Sequence, residues 1–261
     1  MQAFSYQTAT SVAAAAAALN DESKLVAGGQ SLLPSMRLGL AAPEALIDLG
    51  GIADLKGISV SGSTVKIGAM TTHADVAANA DVKRLIPALA DLAGNIGDRQ
   101  VRNRGTLGGS LANNDPAACY PAAVLGLGAT VHTNQRDITA DDFFQGLYMT
   151  ALEDGEIITA VSFPVPQAAG WQKFKQPASR FSLVGVFVSK GAGGVRVAVT
   201  GAGGNGVFRV KAIEDALAAN WSAAAAQAVK VSADGLNSDL HGSAEYRAAL
   251  IPVLAGRAVG G

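Results

Sequence analysis

The chain has 261 residues, which is long for one domain and sufficient for two at roughly 100 to 200 residues per domain. Its 20 Lys and Arg residues stand against 21 Asp and Glu residues, and the net charge of −1 leaves no basic surplus for general nucleic-acid binding. With 49% hydrophobic and 16% charged residues, the composition excludes a disordered chain and allows a sizeable core.

Short helices and strands alternate in the first hundred residues. Thr10 or Ser11 can cap an alanine-rich helix. Pro34 suits a first helical turn, and Gly62-Ser63 suits the turn of a hairpin. In chain order we predict a helix at 11–19, a strand at 24–27, a helix start at 31–37, a strand at 45–48, a hairpin at 58–67, a helix at 73–79 and one or two helices at 82–96.

The remainder begins with the least regular stretch, 97–121, which is dense in Gly, Asn, Arg and Asp. After it we predict strands at 130–133 and 156–164, a linker at 164–170, a hairpin at 183–200 and helices at 210–221, 223–233 and 243–257. No period of 20 to 50 residues repeats, which excludes a solenoid. The pattern predicts an α+β protein of two domains with the boundary near residue 166.

Cysteine and histidine usage excludes several classes of site. Cys119 is the only cysteine, so the chain forms no internal disulfide and cannot hold an iron–sulfur cluster with four of its own thiolates. His73, His132 and His241 are too far apart for the helical pairs typical of metal sites. Neither a secretion signal nor a membrane span is visible, and we expect a cytoplasmic protein.

Two glycine loops carry the clearest chemical signal. They are Ala27-Gly28-Gly29-Gln30-Ser31, which follows a predicted strand, and Gly105-Thr106-Leu107-Gly108-Gly109-Ser110. Each can point backbone N–H groups at an anion without a Cβ in the way, and hydroxyl neighbours add donors. Two such loops could hold both phosphates of a pyrophosphate, although each could equally be no more than a tight turn.

A third glycine segment, Gly201-Ala-Gly203-Gly-Asn-Gly206, has the spacing of the dinucleotide fingerprint. That fingerprint requires a helix at the third glycine and an acidic residue after a second parallel strand. Here Glu214 and Asp215 fall inside a predicted helix. We interpret the segment as a connection.

Polar side chains lie on both sides of the second loop. They are Arg99, Arg102 and Arg104 before it and Asn113, Asn114 and Asp115 after it. The arginines either compensate bound phosphates, dock a partner or form a solvated surface. The Asn and Asp residues either bind polyol hydroxyls or turn the chain. His73 is predicted to begin a helix rather than to act as a catalytic base.

The chain has no G-x-S-x-G, no G-x-x-x-x-G-K-[ST] and no H-E-x-x-H motif. A protein that binds a pyrophosphate without acid–base machinery of its own leaves the chemistry to its cofactor.

Segments 24–34 and 97–116 together resemble the FAD-binding medium subunit of molybdenum hydroxylases. This is the xanthine dehydrogenase superfamily, and the carbon monoxide dehydrogenase and aldehyde oxidoreductase branches are the most similar. Segments 67–73, 156–164 and 174–180 share the resemblance, which therefore covers nearly the whole chain.

The resemblance implies an FAD-binding fold of the vanillyl-alcohol-oxidase (PCMH) type. Two α+β subdomains, at about 1–55 and 56–166, would be followed by a smaller sheet-plus-helices domain at 167–261. Such subunits receive electrons that start at a molybdenum cofactor in a large subunit and cross two [2Fe–2S] clusters in a small one. They pass these electrons to an external acceptor, and the complex is a heterotrimer that is often doubled.

The resemblance also implies which residues bind FAD. The pyrophosphate would be held by Leu25, Val26, Ala27, Gly28, Gly29, Gln30, Ser31 and Leu32 and by Thr106, Leu107, Gly108, Gly109 and Ser110. Ile158 would touch the flavin, Lys175 would lie close to it, and Ile96 occupies a position that is aromatic in some relatives. The candidate site further includes Asn113, Asp115 and Cys119, with no catalytic residue and no metal ligand.

Cys119 is a departure, because relatives usually have an Asp there that binds the cofactor. A thiol accepts hydrogen bonds poorly compared with a carboxylate. Either Asp115 or backbone groups replace it, or FAD is held more weakly, or the thiol forms a thioether to the flavin. Two alternatives to the electron-transfer subunit stay open: a free-standing flavoprotein oxidoreductase of the same fold, and a flavin-free structural subunit, for which Cys119 is the only support.

Overall fold

Three larger β-sheets follow one another along the chain in the computed structural model, which describes residues 2–260, and a fourth sheet has only two strands. The first is a parallel sheet of β1 (Ser5–Thr8), β2 (Ser23–Val26) and β3 (Ala45–Asp48) in the order β1-β3-β2. Its connections contain α1 (Val12–Ala18) and α2 (Leu32–Arg37). Ser11 caps α1 by accepting a hydrogen bond from the Ala14 amide, as its sequence position predicts. A short 3₁₀ helix, Ala53–Leu55, leads out of this sheet.

The second sheet has five antiparallel strands in the order β4-β5-β10-β6-β7. The strands of this region are β4 (Ile58–Ser61), β5 (Thr64–Gly68), β6 (Thr130–Thr133), β7 (Asp137–Thr139), the separate hairpin β8 (Phe144–Gly146) and β9 (Met149–Thr150), and β10 (Ile158–Pro164). The predicted hairpin over 58–67 and the strands near 130 and 160 are present.

Seven helices lie between or beside these strands. They are α3 (His73–Ala78), α4 (Ala80–Leu85), α5 (Pro87–Gly94), α6 (Arg99–Arg104), α7 (Leu107–Asn113), α8 (Tyr120–Leu127) and α9 (Ala140–Phe143). The prediction of an irregular stretch over 97–121 is wrong, because it contains α6 and α7. Asp98 and Thr106 cap these two helices by accepting from the amides of Val101 and Gly109.

The third sheet is antiparallel, and three helices accompany it. Its strands are β11 (Ala168–Lys175), β12 (Ser182–Gly191), β13 (Gly194–Thr200) and β14 (Phe208–Arg209), and the helices are α10 (Lys211–Ala219), α11 (Ala223–Gln227) and α12 (Ala244–Gly260). The linker predicted over 164–170 is too long, since β11 already begins at Ala168. The helix predicted over 223–233 ends at Gln227.

The fold is α+β, as predicted. The proposed boundaries, 55/56 and 166/167, fall in connections between sheets, but the division into domains stays a prediction. Trp171, Phe187 and Ala198 of the third sheet belong to the same hydrophobic core as residues of the second sheet and its helices. Among the residues described, no helix is long and apolar enough to cross a membrane.

Candidate cofactor-binding site

A cavity of ≈ 1140 Å³ lies where the carboxyl end of β2 meets the amino end of α7. Both glycine loops form part of its wall, although about 80 residues separate them in the sequence. The strands β10 and β11 and the hairpin β8–β9 contribute further residues. Its size and its mixed apolar and polar lining are those of a site for a large organic cofactor.

The first loop presents a row of free backbone donors. No hydrogen bond among residues 2–260 uses the N–H groups of residues 28–32. Gly29 has φ +71°, a left-handed conformation that glycine adopts without strain. Successive unpaired N–H groups around such a turn form a concave site for an anion. The first loop therefore has the chemistry of a phosphate-binding loop.

The second loop is built differently. The amides of Leu107, Gly108 and Gly109 donate to Thr71 O, Ala69 O and Thr106 Oγ1, at 3.1, 2.8 and 3.2 Å. Its glycines serve close packing, because a Cβ on Gly108 would lie 2.6 Å from the Ala69 Cβ. The expectation that both loops point backbone donors at an anion therefore applies to the first loop, while those three amides of the second are already bonded.

The two loops touch at one point. A Cβ on Gly28 would overlap the Arg104 carbonyl and lie 2.7 Å from the Gly105 Cα. Gly28 is therefore required for the close approach of the loops, and the fixed contact holds them at one separation. This contact gives the wall of the cavity its shape before any ligand binds.

The other polar groups come from the second and third sheets. The Lys173 Nζ lies 3.3 Å from Cys119 Sγ and donates to Asn95 O at 3.1 Å. Tyr148 in the β8–β9 hairpin donates from its hydroxyl to Asp115 Oδ2 at 3.2 Å. Burial, together with the Asp115 carboxylate, raises the pKa of Tyr148. Phe181, about half exposed, offers an aromatic face at the cavity.

Most of the residues predicted for the site lie on the cavity wall: Leu25, Ala27, Gly28, Gly29, Gln30, Ser31, Leu32, Ile96, Thr106, Gly108, Gly109, Ser110, Asn113, Asp115, Cys119 and Ile158. Val26 and Leu107 are in the hydrophobic core instead. Lys175 is exposed and outside the lining, because the bulge between Phe174 and Lys175 interrupts the strand register. Their contact with a cofactor stays a prediction.

Sequence reasoning missed Lys173, Tyr148, Arg180 and Phe181 as cavity residues. Only Lys173 carried a signal, since it shares one face of β11 with the buried Trp171 by two-residue alternation.

The three arginines before the second loop have different surroundings. Arg102 Nη1 donates to Ile96 O and Gly97 O, whereas Arg99 and Arg104 are exposed. Asn114 holds the β8–β9 hairpin by donating to Gly146 O and Met149 O.

The segment 201–206 is a connection between strands, which agrees with its interpretation from the sequence. It follows β13, which is antiparallel to both of its neighbours, and it leads into β14 rather than into a helix. The amide of Gly201 donates to Pro116 O and so ties the segment to the loop before α8.

These features define a flavin-dinucleotide-binding class of protein, and the residues fit FAD. A row of free N–H donors can hold a pyrophosphate, an exposed aromatic residue and aliphatic residues can contact ring systems, and Gly28 lets the two loops meet at the cavity wall.

Comparison with known proteins agrees with this class. Residues 2–166 match the family described as FAD binding domain in molybdopterin dehydrogenase. The nicotine 6-hydroxylase medium subunit of Paenarthrobacter nicotinovorans is 39% identical over 254 residues, which cover 92% of this chain and 89% of that protein. The carbon monoxide dehydrogenase medium chain of Hydrogenophaga pseudoflava is 36% identical over 276 residues, with 98% and 96% covered.

Solved structures give the same result over the full length. A carbon monoxide dehydrogenase from Hydrogenophaga pseudoflava matches with a TM-score of 0.87 at 35% identity, covering 99% of this chain and 96% of that chain. Quinoline 2-oxidoreductase from Pseudomonas putida 86 matches with a TM-score of 0.87 at 30% identity and the same coverage. The chain belongs to the family of FAD-binding subunits of molybdopterin dehydrogenases. The predicted family, fold and cofactor are confirmed.

Proposed function

We propose that this chain is the medium subunit through which a heteromeric molybdenum hydroxylase delivers electrons to an external acceptor. Electrons would arrive from two [2Fe–2S] clusters in a small partner subunit, after substrate oxidation at a molybdenum cofactor in a large one. The observation that carries the proposal is a single cavity shared by two distant glycine loops, one of which keeps five consecutive N–H groups free.

The chain's own residues would bind and orient the cofactor. The free N–H groups of residues 28–32 would hold the pyrophosphate, and Ile96, Ile158 and Phe181 would contact its ring systems. Lys173 would place a positive charge in the cavity, fixed by Asn95 O and Cys119 Sγ. Bound FAD would supply the redox chemistry.

The relatives support an organic substrate site outside this chain. Their names include nicotine, carbon monoxide and glyceraldehyde as substrates of the complexes, although the medium chains align over most of their length. A conserved architecture serving unlike substrates is expected when the substrate pocket belongs to another subunit. The transfer to an external acceptor and the cytoplasmic location stay predictions.

The first experiment is a visible spectrum of the purified chain, followed by denaturation and chromatography of the released chromophore. We expect a two-band flavin spectrum and FAD. A folded, colourless chain that binds no added FAD would overturn the proposal in favour of a flavin-free structural subunit. Turnover of an organic substrate by the isolated chain would instead indicate a free-standing flavoprotein.

The electron-transfer role needs the assembled complex. Stopped-flow reduction by substrate should show iron–sulfur bleaching before flavin bleaching. Removal of FAD should abolish reduction of the external acceptor while the clusters are still reduced. Acceptor reduction at an unchanged rate in the flavin-free complex would contradict the proposed route.

A further inference from the structure

His73 is a buried polar residue that the fold does not explain. Its backbone amide donates to Gly105 O at 3.0 Å, at the start of α3. Its side chain is only 5% exposed and lies on the cavity wall, with the ring 5.3 Å from that of Tyr120. A Cβ on Gly105 would lie 2.5 Å from His73 Nε2, so residue 105 must be glycine to admit the imidazole.

The two ring nitrogens have different surroundings. Nδ1 is enclosed and has no hydrogen-bond partner among residues 2–260, whereas Nε2 lies against Gly105 at the wall of the cavity. Burial, aided by the positive charge of Arg102, lowers the pKa of His73 to about 4, so the ring is uncharged and has one N–H. A buried N–H group without an acceptor is rarer in proteins than a buried acceptor atom without a donor. The proton therefore belongs on Nε2.

Most backbone N–H groups of the second loop already have partners, and its remaining donors are the Thr106 N–H and the hydroxyls of Thr106 and Ser110. The amides of Leu107, Gly108, Gly109 and Ser110 are used within the protein. Gly105, against which the imidazole packs, also lies close to Gly28, so His73 lies near the point where the two loops meet. A ligand held by the first loop therefore meets a side-chain donor where the two loops join.

We propose that His73 is a cofactor-positioning residue that donates a hydrogen bond from Nε2 to the pyrophosphate of bound FAD. The donor is uncharged and rigidly packed, so it fixes the position of the pyrophosphate without adding a second buried charge beside Arg102. This inference rests on the proposed function, in which the chain binds FAD. At the second loop, the side chain of His73 would contact the pyrophosphate in place of the backbone amides that are bonded within the protein.

Nitrogen-15 NMR of the full chain with labelled histidine tests the tautomer and the contact. The variants His132→Gln and His241→Gln assign the two other histidines. We expect a neutral His73 with the proton on Nε2, and a change in its Nε2 signal when FAD is added but not when riboflavin, which lacks phosphate, is added. An Nδ1-protonated ring, or equal changes with FAD and riboflavin, would overturn the proposal.

Binding measurements give an independent test. His73→Phe keeps a ring against Tyr120 and removes the donor, so the Kd for FAD should rise about 10- to 100-fold, as for other hydrogen bonds to charged groups. The Kd for riboflavin should not change, and the exposed control His241→Phe should bind FAD normally. Wild-type affinity in a folded His73→Phe variant would refute the role of His73 alone, whereas failure of the wild type to bind FAD would refute the proposed function.

Discussion

At Gly28 the close approach of the two loops leaves no room for a methyl group, because the Cβ would overlap the Arg104 carbonyl. Gly28→Ala should therefore push the first loop away from the second. We expect a loss of about 1 to 3 kcal/mol in the free energy of unfolding and a chain purified without FAD. Urea denaturation and the flavin absorbance measure these effects.

Gly193→Ala is the matched control, since a Cβ there meets no atom within 4 Å. It should keep both stability and FAD content. Full FAD retention in Gly28→Ala would show that the contact between the loops does not shape the site.

His73 makes the stability of the flavin-free chain depend on pH. Its pKa is about 4 in the folded chain, against 6.5 for a free histidine, because burial disfavours the charged ring. Between these values the unfolded chain binds more protons, so the free energy of unfolding falls as pH is lowered through 6.5. From pH 7 to pH 5 the loss attributable to His73 is about 2 kcal/mol.

Urea denaturation of the wild type and of His73→Phe at both pH values isolates this contribution. The variant should lose less stability between pH 7 and pH 5, by about the same 2 kcal/mol. Identical pH dependence in both proteins would mean that His73 titrates normally in the folded chain.

At the scale of elements, the Asn114 side chain holds the β8–β9 hairpin from outside, in addition to the contact between Tyr148 and Asp115. Asn114 ends α7 in a left-handed conformation and donates to Gly146 O and Met149 O at 2.9 and 2.8 Å. Tyr148, between those residues, also has a positive φ, 55°, which is costly for a bulky residue. The clamp therefore maintains a strained turn beside the cavity.

Asn114→Ala removes both hydrogen bonds, and the free energy of unfolding should fall by about 1 to 3 kcal/mol. Hydrogen exchange at residues 146–150 should accelerate more than at β10. Asn114→Gly separates the two causes, because glycine restores the backbone conformation without the bonds. Unchanged exchange in the hairpin of both variants would show that Asn114 does not hold it.

Elements with a strong local signal could be predicted from the sequence, and short ones held by tertiary contacts could not. The hairpin over β4 and β5 has alternating apolar residues and a Gly62-Ser63 turn, so it was predicted closely. The helices α6 and α7 span six and seven residues, too few to show a repeating helical pattern of apolar residues, and depend on the caps Asp98 and Thr106.

In the candidate site, too, some features could be predicted from the sequence and others could not. The two glycine loops can be predicted from the sequence because glycine itself indicates a tight turn or a close approach of the backbone. The position of Lys173 rather than Lys175 on the cavity wall depends on a β-bulge after Phe174, for which the sequence gives no sign. The free and used N–H groups of the two loops depend on partners as distant as Ala69 and Thr71, which only the folded chain brings near.

At the scale of the whole molecule, two carboxylates connect the third sheet to its surroundings, and burial distinguishes them. Asp141 pairs with Arg196 and Arg209 but is 48% exposed, whereas the Glu214 side chain is 2% exposed and accepts from Arg209 and from the Val197 amide. Exposed ion pairs contribute at most about 1 kcal/mol, whereas breaking a buried one costs about 3 kcal/mol or more.

Glu214→Ala should therefore destabilise the chain by about 3 kcal/mol and Asp141→Ala by less than about 1 kcal/mol, as measured by urea denaturation. High salt should reduce only the Asp141 contribution, because exposed charges are screened. Equal losses in the two variants would mean that burial does not decide the strength of these pairs.

The shared core predicts that the third sheet and the cofactor-binding part unfold together. Trp171 of β11 lies in one core with Phe187 and with residues of the second sheet and its helices. In the variant Trp221→Phe, Trp171 is the only tryptophan, so its fluorescence reports on this junction, while circular dichroism reports on the whole chain. Both signals should change at one urea concentration, as expected for a single cooperative unit. Two separate transitions would instead make the segments 1–166 and 167–261 independent domains, and the cavity, whose wall includes Lys173 and Phe181, would then lie between them.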